Sequence, residues 1–542
     1  MSDKPLPPTA TQKRLAHPDF VPTFSLGALR DRLPVLFPVP QTVPPSPKRR
    51  YRSGYRYLGY AGLADPAVRV NWSPFEAGLR LVDFSPLRDY LAHGYFAPSA
   101  RGQTPFDPVS LLLCYLLRRF LDCSWNTLAQ LLAGEHGAGW RRLFGFHDDQ
   151  TPSESGLRYF RDTVGETTLE ELVCLFIDLL HAQGIAPEHS TFPGDPPDRG
   201  VSISHDLMLH AARSAMGCAH VTETCYQPAP RPCPAREAGQ RGCGCTDPAC
   251  AKMCRRTTPR DREARFIHYD GHNKHADDAE STDEGRNVYG YASNPDRLVD
   301  DRFACAWTLR TGLHPANADE RSLFPDSFAA LRRRFPWLKI GEVLADAALG
   351  YQNCLDPIWH AGALRMVDIR AEKHDADPET QQRRGYNDTG YPLCAHGYVM
   401  RPNGHDYVRR RTKWCCDKVC LTPPADDSGQ APPEPVPECP YQADDHKHGQ
   451  VVNVGRTLPD GSVRLAREIA YDSDAWHKRY GRRSLSESRN GSIEHQGLKR
   501  LPGCGLSRGR KETAMADLLE SLETLGRLVL EATIAAAKAG AG

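Results

Sequence analysis

The chain has 542 residues, 68 Lys+Arg against 67 Asp+Glu for a formal charge of +1, and 40% hydrophobic residues. That apolar share excludes a wholly disordered chain, and so even a balance assigns no partner by bulk charge. No apolar run approaches the ~20 residues a membrane helix needs, and no apolar signal core follows Met1, so a cytoplasmic setting without a membrane is expected.

Residues 1–60 are Pro-rich and carry Lys48-Arg49-Arg50-Tyr51-Arg52, which reads as a flexible basic leader. Helical signals dominate 61–195. Asp107 caps a helix with Pro108 at its first position, and Ser124 opens a second. Thr151-Pro152-Ser153-Glu154 reads as a capping box with Pro at N1, opening a helix expected to expose Arg158 and Arg161. A further helix is expected over about Thr168 to Ala182. Short helices in series, one carrying arginines, suit a DNA-binding helix-turn-helix unit. A plain helical bundle fits the same pattern.

From 196 to 375 strands alternate with helices, the pattern of a mixed α/β sheet. Strands are expected at Val201 to Asp206, Val288 to Ser293, Phe303 to Thr311, Leu338 to Asp346 and Leu364 to Ile369, with a helix from Arg321 to Arg334. Residues 376–454 break this with turns and cysteines. Pairing is expected to resume between Val451 to Val454 and Val463 to Leu465 across Pro459-Asp460-Gly461. Over 455–542 the chain closes with a helix whose Met515, Leu518, Leu522, Leu525 and Val529 form an apolar stripe.

Eighteen cysteines without an export signal point to metal sites rather than disulfides. Cys394, Cys415, Cys416, Cys420 and Cys439 offer enough thiolates for one tetrahedral Zn²⁺, beside Arg409-Arg410-Arg411 and Trp414 as a DNA-facing surface. Cys243, Cys245, Cys250 and Cys254, in the Cys-rich stretch 218–254, could hold a second Zn²⁺. Reduced loop cysteines are the alternative for both groups.

Two carboxylates fall at the ends of expected strands, Asp206 and Asp346. A carboxylate there sits on rigid backbone and can bind a divalent cation. Two or three can hold two ions about 3.5–4 Å apart, clamping both oxygens of a phosphodiester displacement. A third acid, Glu487, lies in a tract (478–512) with ten Lys/Arg against three Glu. On one helix, Tyr480, Arg483 and Glu487 would share a face. An acid ringed by arginines suits a site that polyanionic DNA must approach; a solvated basic helix is the bland alternative.

Tyr480-x2-Arg483-x3-Glu487 resembles the signature of bacterial insertion-sequence DDE transposases. Ser202 to Asp206 is similar to their first catalytic strand, and Asn287-Val288-Tyr289-Gly290-Tyr291 to the Tyr-Gly-Tyr strand after it. Pro315-Ala316-Asn317-Ala318-Asp319-Glu320 resembles their Pro-Ala-Asn-x-x-Glu turn, and Leu344 to Tyr351 their second-Asp segment. The Cys-rich stretch 376–454 resembles a knuckle-like insertion found in some of them. The sequence departs from the pattern at Leu207-Met208, Ala292 and Glu494, and Glu494 is a second candidate for the third acid.

The resemblance implies an α/β fold: a ribonuclease-H-like catalytic core with an N-terminal all-helical region and a Cys-rich insertion. It implies Mg²⁺ (or Mn²⁺) held by Asp206, Asp346 and Glu487, and double-stranded DNA as partner, both transposon ends and target. Tyr480, Arg483, Arg489, Lys499 and Arg500 would contact the DNA. A homodimer in the DNA complex and association with the nucleoid are also implied. The implied activity is DNA cleavage and strand transfer. Alternatives are a catalytically inactive, transposase-derived DNA-binding protein and another metal-dependent nuclease of the same fold.

Overall fold

A computed structural model of the protein describes residues 35–36, 51–58, 72–95, 104–213, 261–269, 286–369, 377–418, 439, 441 and 449–540. Most of the basic leader, and Cys243, Cys245, Cys250, Cys254 and Cys420, lie outside the described residues.

The helical region opens with β1 (Val35–Leu36), paired in parallel with β2 (Val82–Asp83), which follows α1 (Pro74–Leu81). Next come α2 (Leu87–Tyr95), α3 (Pro108–Phe120), α4 (Trp125–Ala133), α5 (Ala138–Phe144), α6 (Glu154–Thr163) and α7 (Glu166–Ala182). The caps work as their residue types predict. The Asp107 carboxylate accepts from the Val109 amide at 3.0 Å, and Ser124 Oγ from Thr127 at 3.0 Å. The box at 151–154 is a correction. Ser153, not Thr151, is the cap, accepting from the Gly156 amide at 3.3 Å, so α6 begins two residues later than its sequence signal.

The main sheet is mixed. Its spine is the 15-residue strand β6 (Arg286–Asp300). One edge of β6 pairs antiparallel with β3 (Val201–His205) and β4 (Met208–Ala211). The other pairs antiparallel with β5 (Arg265–Tyr269) and β7 (Cys305–Pro315). Beyond β3, β8 (Ile340–Ala345) and β9 (Leu364–Val367) continue in parallel, reached through α8 (Glu320–Arg334) and α9 (Gln352–His360). Across the sheet the order is therefore β7, β6, β3, β8, β9. Strands β3 and β9 are buried throughout, as parallel strands covered on both faces must be.

A second small unit follows α10 (Pro378–Arg384): β10 (Arg401–Asp406), β11 (Arg411–Cys415) and β12 (Val451–Val454) form an antiparallel sheet. It has its own core of Tyr386, Met400, Trp414, Val454, Leu458 and Ala470. Two expectations are corrected here. Strand Val451–Val454 pairs with β11, and 463–465 forms no strand. The Pro459-Asp460-Gly461 turn does form, but the Tyr386 hydroxyl donates to its Asp460 carboxylate at 2.6 Å, folding it back onto this unit. The unit's core also continues past 454 to Ala466 and Ala470.

The chain ends with α11 (Asp474–Tyr480), a 3-10 turn (Gly481–Arg483), α12 (Ser484–His495) and the long α13 (Leu506–Gly540). The predicted stripe of α13 is buried. It packs against α1, α3, α7 and β7. One apolar cluster consequently runs from Phe75 and Leu112 through Ile203 and Trp307 to Leu518 and Val529. The helical region and the sheet share a core. No helix among the described residues is long and apolar enough to cross a membrane.

Candidate active site

Strands β3 and β8 are parallel neighbours in register, with Ser204 opposite Leu344. Asp206 and Asp346 each follow two residues later, so the two carboxylates emerge side by side at the same sheet edge. Strand β9 extends the row: Ala345 lies opposite Val367, which brings Asp368 next to Asp346. Asp368 is a third strand-end carboxylate that the sequence pattern alone does not single out, although it occupies the same kind of position as the other two. It accepts the Tyr471 hydroxyl at 2.7 Å and the Ile369 amide at 2.9 Å. Asp346 caps the short turn Ala347–Leu349 by accepting from the Ala348 amide at 2.8 Å.

The third acid is brought to this edge by Arg483. Its guanidinium donates to Asp206 Oδ1 at 3.3 Å through one nitrogen and to Glu487 Oε1 at 2.5 Å through the other. Asn490, one turn further along α12 and also missed, donates to Asp206 Oδ2 at 3.0 Å. Tyr480, Arg483 and Glu487 do not lie on one continuous helix as expected, because the 3-10 turn at 481–483 intervenes. The i,i+4 link from Arg483 to Glu487 survives it. Tyr480 is half-buried and stacks on Trp476, ring centroids 4.2 Å apart.

Burial lifts the Asp206 carboxyl above its usual pKa. The negative charges of Asp346 and Glu487 push it the same way, and Arg483 opposes them. The group next to it, His205, is fully buried between Asp296 at 2.7 Å and Glu320 at 3.3 Å. Burial disfavours the imidazolium, yet the two acids together hold its pKa up at about 10. Glu320, the acid of the Pro-Ala-Asn-x-x-Glu turn, thus braces the residue preceding Asp206. Glu494 is engaged elsewhere, with Lys499 at 3.2 Å.

The donor set consists of hard carboxylate oxygens, the type that suits Mg²⁺ or Mn²⁺. The acids are spread around a guanidinium rather than gathered on a point. Among the described residues no three His, Cys, Asp or Glu groups stand close enough together to hold a metal ion. The positive charge recorded at this edge is that of Arg483, paired with two of the acids.

The expected DNA contacts divide. Lys499 and Arg500 are exposed, and Arg483 partly so. Arg489 is corrected: it is fully buried and paired with Asp517 at 2.7 Å, fastening α12 to α13. Arg161 is corrected likewise, buried beside the Trp125 ring and paired with Asp162 at 2.7 Å. Arg158 is exposed and paired with Glu154 at 2.6 Å. Trp414 is buried in the small unit's core rather than on its surface.

Of the five thiolates, Cys420 lies outside the described residues, and the other four are placed as follows. Cys415 and Cys416 are adjacent at the end of an extended strand, so their side chains project to opposite faces. Cys415 Sγ accepts from Asn403 at 3.2 Å. Cys416 joins Cys394 in the small core, and Gln450 bridges the two loops, accepting from the Cys416 and Ala395 amides, each at 2.9 Å. Cys439 is half-buried. No protein-family model matches the chain, and no curated protein does.

Proposed function

We propose that the protein is a DNA transposase of the DDE type, cleaving double-stranded DNA at element ends and joining the freed 3′ end to a target. The observation that carries this reading is the alignment of Asp206 and Asp346 on neighbouring parallel strands, with Arg483 tying Glu487 to Asp206. The sheet supports it. A three-stranded antiparallel meander (β3, β6, β7) followed by two strands parallel to its first, in the order β7-β6-β3-β8-β9, is the arrangement of a ribonuclease-H-like core. The unit between β9 and α11 is then an insertion into that core. A structural Zn²⁺ held by thiolates of the set Cys394, Cys415, Cys416, Cys420 and Cys439 belongs to the same reading.

In this reading Asp206, Asp346 and Glu487 would hold Mg²⁺ or Mn²⁺, which would supply charge stabilisation for a phosphodiester displacement. The chain's own groups do the rest. Asn490 and the strand end fix the rotamer of Asp206. Arg483 and the exposed Lys499 and Arg500 offer cations to phosphates. The partner is duplex DNA, and a homodimer would bring two ends together.

The test is Mg²⁺-dependent cleavage of DNA carrying the element's ends. Asp206→Asn, Asp346→Asn and Glu487→Gln should each lower the rate roughly a thousandfold or more, since a lost ligand removes several kcal/mol of charge stabilisation. DNA affinity should stay near that of the unaltered protein. Full activity in Glu487→Gln would overturn the assignment, and cleavage without strand transfer would make the protein a nuclease instead.

A further inference from the structure

Four residues before each aspartate, the same two strands carry a second polar pair. Ser202 on β3 lies directly opposite Glu342 on β8, just as Asp206 and Asp346 adjoin at the strand ends. Glu342 accepts the Ser202 hydroxyl at 2.6 Å, and its side chain is only 1% exposed. Two arginines from the segment leading to Glu487 meet this pair. Arg479 donates to Glu342 Oε2 at 3.0 Å, and Arg482 is ion-paired with the other oxygen of the same carboxylate. Arg482 also donates to Ser202 Oγ at 3.0 Å and to Asp301 at 2.9 Å. Asp195 closes the network on Arg479, and the Phe192 ring covers both guanidiniums, 4.2 and 4.5 Å from its centroid.

Burying this many charges is costly, and apolar side chains of similar volume would often hold a fold at least as well. What the network supplies is register. Arg482 and Arg483 are consecutive, and they grip the two levels of one strand pair: Arg482 at Ser202 and Glu342, Arg483 at Asp206. A slip of α11 or α12 along the strands would break both grips at once. We infer that Glu342, with Ser202, Arg479 and Arg482, is a positioning layer that sets where Glu487 stands relative to Asp206 and Asp346. The inference rests on the triad reading of the site for its functional meaning, but the placement it asserts is a property of the fold.

Three variants test it: Glu342→Gln, Ser202→Ala and, as a control for general destabilisation, Leu525→Ala in the distant stripe of α13. Amide hydrogen exchange and Mn²⁺ titration followed by electron paramagnetic resonance are read on each full-length protein, well below its melting temperature. Glu342→Gln and Ser202→Ala should lose protection in 484–495 selectively and bind Mn²⁺ at least tenfold more weakly. Leu525→Ala should lose stability without either change. Restoring an acid with Glu342→Asp should recover part of both signals. Unchanged protection of 484–495 in Glu342→Gln and Ser202→Ala would overturn the inference, whatever the catalytic outcome. If that protection is lost while the unaltered protein binds no Mn²⁺ and cleaves no DNA, the placement stands and the triad reading falls.

Discussion

Arg489 shows how far a residue's type can mislead about its role. In a basic tract it reads as a phosphate contact, yet it is fully buried and faces an equally buried Asp517. Removing one partner leaves the other charged without compensation. Arg489→Ala should therefore cost about 3–5 kcal/mol of stability in urea denaturation. His210 makes a different residue-scale prediction. It is fully buried, its two nitrogens engaged by the Leu498 carbonyl at 2.8 Å and Ser293 Oγ at 2.7 Å, and burial pushes its pKa down to about 4. Unfolded, it binds a proton below about 6.5, whereas the folded protein resists protonation until about pH 4. The unfolded state binds more protons in between, so this contribution is present above pH 6.5 and is lost as pH falls towards 4. The unfolding free energy from urea melts should fall more steeply over that window in the unaltered protein than in His210→Gln, by a difference of order 1–3 kcal/mol.

Among the elements, α1 and α13 are held together by two glycines. A Cβ at Gly78 would run into the Leu522 carbonyl, and one at Gly526 into the Pro74 carbonyl, so the backbones touch where they cross. Gly78→Ala and Gly526→Ala should each destabilise by about 1–3 kcal/mol or more, because overpacking must push two helices apart. Gly139 in α5 has nothing within 4 Å of its Cβ position. Gly139→Ala should be neutral or stabilising by about 0.5–1 kcal/mol, since alanine is the better helix former. Thermal melts of the three variants decide the point. Both close approaches lie inside helices whose sequences read as ordinary, so the crossing was not legible beforehand.

At the scale of the whole molecule, the division at 195/196 follows chain order and not cores. Helix α13 comes last in the chain but packs on α1, α3 and α7, and one cluster joins Phe75 to Val529. A fragment ending at residue 195 should therefore expose the faces that α13 covers, bind a hydrophobic dye and melt without a cooperative transition. A fragment starting at 196 should fare no better. Independent, cooperative unfolding of either fragment would mean that the shared cluster contributes little to stability.

Local sequence determined the elements whose signals are local. The caps at Asp107 and Ser124, the alternating strand β3, the β-rich runs β8 and β9, and the stripe of α13 all follow from side-chain type and spacing within a few residues. The two aspartates could be found for the same reason, since a strand end is a local feature. What only the tertiary structure decided is which groups meet across large separations in the chain. Sequence spacing gave no means of choosing the partner of Arg489 or Arg482, or of placing Asn490 on Asp206. Those pairings are set by the register of β3 against β8 and by the docking of α11 to α13 on the sheet. A buried charge takes whichever opposite charge the packing leaves within reach, so its partner is fixed by the fold as a whole.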